Sequence, residues 1–114
     1  MIGKTMMIAF CVALSAAEMD IVTPETGALV SACKPIDVDV ADIPTTADKI
    51  SWHLMRDGQT QASGNVPLAA AFQADLPWPA KVAEKQRAGE WEFVLVAEGK
   101  APAKQSHKFK AVPC

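Results

Sequence analysis

From residue 36 to residue 112, apolar and polar side chains alternate in short runs broken by glycine and proline, the period-two signature of strands buried on one face. Ile36-Asp37-Val38-Asp39-Val40 sets three aliphatic side chains on one face and two carboxylates on the other, with Pro35 at its start. Ile50-Ser51-Trp52-His53-Leu54-Met55 repeats the pattern, with Ile50, Trp52 and Leu54 inward. Arg56-Asp57-Gly58 then turns the chain into Gln59 to Ala62, which predicts a hairpin. Ala71 to Leu76 is a further strand, stopped by Pro77 and Pro79, whose rings cannot donate to a ladder. Residues 80–88 (AKVAEKQRA) are good helix formers followed by Gly89, and they predict the helical turns of this region. Glu90 to Ala97 is the strongest strand, and after a turn over Gly99 to Ala103 the last strand runs from Ser106 to Val112. Many short strands and one brief helix predict an all-β antiparallel sandwich rather than an α/β arrangement.

Ahead of residue 18 the pattern changes. Met6 to Ala17 (MMIAFCVALSAA) is apolar, stands behind Lys4, and is followed at once by Glu18 and Asp20. The run is shorter than the roughly 17 to 25 residues of a membrane-spanning helix. It has the form of the apolar helix of a secretory signal, and Ser15-Ala16-Ala17 supplies small residues for cleavage. Residues 1–17 are therefore expected to be a signal peptide and 18–114 the mature domain, secreted or periplasmic. Were the tract retained, the domain would instead be a membrane-tethered subunit of a larger assembly.

Without the leader 97 residues remain, one small domain that gains from a covalent staple. Cys11 leaves with the leader. Cys33 and Cys114 stay, and in an oxidising compartment an even pair reads as one disulfide. Val30-Ser31-Ala32-Cys33 has the form of a lipobox, but Glu18, Asp20, Pro24 and Glu25 separate it from the apolar run that a lipobox must follow. The net charge is −2, or −3 once Lys4 is gone, so the surface does not recruit nucleic acid. Residues 18–80 sum to −6 and residues 81–114 to +3, which gives two oppositely charged faces if the fold segregates them.

Two landmarks carry a family resemblance. Trp52 stands shortly before the Asp57-Gly58 turn, as does the third-strand tryptophan of immunoglobulin-like domains. Arg87-Ala88-Gly89-Glu90-Trp91-Glu92-Phe93 resembles the Ala-Gly-x-Tyr-x-Cys stretch entering their sixth strand, with Trp91 for the tyrosine and Phe93 for the cysteine. The resemblance covers about residues 34 to 113 and implies an immunoglobulin-like sandwich of about seven strands. It also implies that Val38 or Val40 packs on Phe93 where the usual inter-sheet disulfide would be, and that the tyrosine-corner hydroxyl is missing. In that topology the start of the second strand and the end of the seventh lie at one end of the domain, so Cys33 and Cys114 are in reach of each other.

No Gly-x-Ser-x-Gly, His-Glu-x-x-His, Cys-x-x-Cys or phosphate-loop motif occurs. Alternation puts His53 outward beside Trp52, and His107 inward with Phe109, so the two imidazoles do not converge on a substrate or metal. Asp37 and Asp39 share a strand face and read as a solvated surface, with calcium as the alternative. Gly89-Glu90-Trp91 and the apolar alternation behind it are similar to YtkA-like and CopC-like exported copper-handling sandwiches. That likeness implies ligands from Met19, His53, Met55 and His107, of which only His53 and Met55 share a face. Pro44-Thr45-Thr46 resembles a loop of chagasin-like cysteine-protease inhibitors, which implies an inhibitor, although Ile43 and Ala47 replace the flanking asparagine and glycine.

The remaining clue is on the sixth strand, whose two faces are both apolar: Trp91, Phe93 and Leu95 on one, Val94 and Val96 on the other. His53, Met55, Lys108 and Lys110 should flank the valines, giving an apolar centre with a basic rim. Trp78, between two prolines, is the other candidate contact, or else a plug over the core. The sequence thus indicates a non-catalytic binding or accessory module with no cofactor, no metal and no catalytic residues. Its partner is expected to be a protein, and its oligomeric state is not fixed.

Overall fold

Eight strands form two facing sheets in the computed structural model, which describes residues 19–44 and 46–114. The tract read as a signal helix and Thr45 lie outside the described residues. In chain order the strands are β1 (Asp20–Thr23), β2 (Leu29–Ser31), β3 (Ile36–Ala41), β4 (Lys49–Arg56), β5 (Gln59–Val66), β6 (Phe72–Leu76), β7 (Gly89–Glu98) and β8 (Ala103–Val112). The smaller sheet runs β1-β3-β6 and the larger β2-β8-β7-β4-β5. All pairings are antiparallel except β2 on β8, which is parallel.

The strand beyond the expected seven comes from the start of the chain, where Pro24 and Gly27 divide one segment into β1 on the small sheet and β2 on the large one. Proline lacks the donor that a ladder needs, and Gly27 turns at a φ of 83°, which side chains disfavour. The β4–β5 hairpin turns over Asp57 and Gly58 alone, both at positive φ, as a two-residue hairpin turn requires. β5 runs four residues past the expected end at Ala62. Trp52 is the reason: its indole lies so close over Gly64 that a Cβ there would meet Nε1 at 2.6 Å, so glycine is the residue that lets strand and ring pack.

The helical reading of residues 80–88 is corrected. Only Glu84–Gln86 make a turn, of the 3₁₀ kind, and Ala83 before it is extended. Arginine side chains take the carbonyls of this connection instead. Arg56 donates to Gln86 O and Ala88 O at 2.6 and 2.7 Å, and Arg87 donates to Val82 O and Ala32 O at 3.2 and 3.0 Å. Charge-assisted bonds of this kind hold an irregular backbone without a helix ladder.

The core lies between the sheets and follows the alternation. Ile36, Val38 and Val40 of β3 face Ile50 and Leu54 of β4 and Trp91, Phe93 and Leu95 of β7, all buried. Cys33 and Cys114 are joined in a disulfide with their Cα atoms 5.5 Å apart, the pairing that parity and strand order indicated. It ties the entry to β3 to the end of β8.

Candidate functional site

The pleat places the predicted surface residues in register across the outer face of the large sheet. One row reads Ser106, Val94, His53, Ser63 from β8 to β5. The row on one side reads Lys108, Glu92, Met55, Thr60, and the row on the other Lys104, Val96, Ser51, Asn65. Lys110 stands opposite Glu90, with Leu29 of β2 on its other side. Val94, Val96, His53, Met55, Lys108 and Lys110 therefore share one face.

The surface they form differs from an apolar centre with a basic rim in two respects. Val94 is only 3% exposed, because the neighbouring strands close over a short side chain at the middle of a five-stranded sheet. Its outward direction was legible from alternation, its burial was not. The open part of the centre belongs to half-buried His53, Met55 and Val96. The rim, in turn, is mixed rather than basic, since Lys108 and Lys110 stand opposite Glu92 and Glu90, and Lys49 opposite Glu98. Opposite charges in register stabilise a strand pair, whereas unpaired lysines would repel along β8. At the end of this face Met55, Arg56, Glu90, Trp91, Glu92 and Lys108 line an open depression.

Trp78 is a plug rather than an exposed contact. It is 7% exposed, packs edge-on against Trp91 at 5.1 Å and donates its indole N–H to Lys34 O at 2.8 Å. Trp91 holds a role that its replacement of tyrosine concealed. Its N–H donates to Arg87 O at 2.7 Å, four residues upstream, the kind of strand-to-corner bond that a tyrosine hydroxyl makes in antibody-type domains. Arg56 lies over the Trp91 ring at 4.7 Å.

The two histidines occupy opposite faces of the large sheet. His53 Nε2 hydrogen-bonds Ser51 Oγ at 3.1 Å on the outer face, and His107 donates from Nδ1 to Pro24 O at 2.9 Å on the inner side. Among the described residues only Cys33, Glu84 and Cys114 bring three potential metal-ligand atoms within 4.8 Å of one another, and there the two sulfurs are bonded to each other. Asp37 and Asp39 look outward from β3, with Asp75 of β6 directly opposite Asp37. The fold thus segregates charge in part: β1, β3 and β6 contribute Asp20, Asp37, Asp39 and Asp75 and no cation, while three lysines line β8. Of the loop likened to protease inhibitors, Ile43 is buried and Pro44 half-buried, and residue 45 lies outside the described residues.

No family profile and no curated protein sequence matches the chain. Solved structures do. An engineered protein aligns with a TM-score of 0.59 at 12% identity over 82% of this chain, which spans 20% of that protein's length. The fibronectin(III)-like modules of Clostridium thermocellum CbhA align with a TM-score of 0.51 at 12% identity, over 84% of this chain and 98% of theirs. At such identity the likeness is one of fold alone: the chain is an immunoglobulin-like β-sandwich.

Proposed function

We propose that the chain is an exported, non-catalytic module that holds another protein against the outer face of its large sheet. One observation carries this reading. The rows Ser106–Val94–His53–Ser63 and Lys104–Val96–Ser51–Asn65 contain no acid and, apart from Lys104 at the β8 end, no lysine or arginine, while Lys108 opposite Glu92 and Glu98 opposite Lys49 bound them on the two sides. Protein interfaces deplete charge at the centre and keep it at the rim. Export is supported by the apolar tract Met6 to Ala17 and by the closed disulfide, which persists in oxidising compartments.

Val96, half-buried and adjacent to His53 and Ser51, is the residue with which to test the face. Val94→Lys is a poor probe, since a lysine at a position 3% exposed perturbs packing as well as contact. The exported chain, used as bait in its own secreted fraction, should retain a partner that Val96→Lys binds at least tenfold more weakly, with the urea midpoint unchanged. An affinity that Val96→Lys leaves unaltered removes this face from the account.

A further inference from the structure

From Gly58 to Ala74 the chain carries no charged side chain, 17 residues in a row where 21% of the whole chain is charged. The run covers the hairpin turn, all of β5, the connection to β6 and the start of β6. Each of these strands is last in its sheet, and among the described residues no strand pairs with the outer edge of either. β1 and β2 are the end strands on the opposite side of the sandwich, so the β5 and β6 edges and the link between them make up one side. Proteins that stay apart guard such edges with lysine, proline or inward charges, and β5 has none of these. Its only guard is a bulge at Gln61, which displaces the part near the turn and leaves Ala62 to Val66 in regular register. Just beyond, Pro67, Leu68 and Ala69 to Ala71 are exposed, Leu68 by 46%.

We infer that β5 pairs antiparallel, over Ala62 to Val66, with β5 of a second copy of this chain, joining two five-stranded sheets into one. The occupant follows from self-complementarity. A two-fold pairing centred on Gly64 sets Ser63 opposite Asn65 and Ala62 opposite Val66. Polar then meets polar on the outer face, and apolar meets apolar on the core face, as a self-complementary dimer contact requires. Charge points the same way. The chain is net negative and the outer face of its small sheet is acidic, so two copies approach with least repulsion at the β5 edge, which has no charge. A short strand pair with a flanking loop belongs to the small interfaces, below about 1,200 Å² in total, the class of weak and transient contacts.

Sedimentation velocity of the full exported chain, from micromolar to millimolar concentration, tests this. The wild type should show a reversible monomer–dimer equilibrium. Ser63→Lys, which puts an exposed cation on the pairing segment, should weaken it tenfold or more, and Ser106→Lys, an exposed position on β8, should leave it intact. A chain that is monomeric throughout overturns the proposal and leaves the edge to an extended segment of another protein. A dimer indifferent to Ser63→Lys, or equally weakened by Ser106→Lys, overturns it too.

Discussion

Trp52 and Gly64 set the local length of the large sheet between them. The predicted hairpin ends at Ala62, yet Ser63-Gly64-Asn65 continues β5, and the indole occupies the space that any Cβ at 64 would need. Gly64→Ala places a methyl group 2.6 to 2.8 Å from three ring atoms, and a ring also stacked on Phe93 cannot shift freely. The expected loss is about 1 to 3 kcal/mol, read as a lower urea midpoint with an unchanged slope. At the same scale, alternation assigned His53, Val94 and Val96 to the outer face and His107 to the inner one. What it did not contain was the depth of Val94, which depends on the two neighbouring strands, or the bonds of Trp78 and Trp91, which depend on carbonyls 44 and 4 residues away.

The strictly alternating strands β3 and β4 and the long apolar run of β7 were legible nearly to their ends. The failures fall where tertiary contacts override local preference. Residues 80–88 have helix-forming composition, but Arg56 from outside the segment and Arg87 within it capture its carbonyls, and only one 3₁₀ turn survives. Arg56 is the more exacting of the two, because it also lies over Trp91 and so fixes the connection to β7 against the end of the hairpin. Arg56→Ala should cost about 2 kcal/mol through the loss of charge-assisted bonds and stacking. Arg56→Lys should recover less than half of that, since an ammonium cannot span both carbonyls as a planar fork does. Chemical denaturation of the two variants beside the wild type checks the order. The split of the first strand into β1 and β2 left only a faint trace in the sequence, Pro24 and Gly27 three residues apart.

Over the whole molecule the sheets divide the work. The small sheet turns an acidic face outward and buries Ile36, Val38 and Val40, while the large sheet carries the low-charge rows proposed for partner capture and, at its β5 edge, the side proposed for self-association. A wide face and a free edge on one sheet allow both contacts to form at once. Charge segregation was legible as a sum over residues 18–80 against 81–114. The opposition of Lys108 to Glu92 and of Lys110 to Glu90 was not, because register belongs to the folded sheet.

The disulfide joins these scales. It closes a loop of 82 residues, for which the chain-entropy estimate is about 4 to 5 kcal/mol, comparable with the total stability of a small domain. Reduction should therefore lower the unfolding midpoint far more than any single substitution above. The account as a whole depends on the chain reaching a compartment where that bond forms. Mass spectrometry of the native protein, alkylated before and after reduction, tests it most directly. The account predicts a polypeptide beginning at Glu18 whose Cys33 and Cys114 take up no label until reduced and then take up two. A polypeptide still carrying residues 1–17, with both cysteines labelled before any reductant is added, would contradict it.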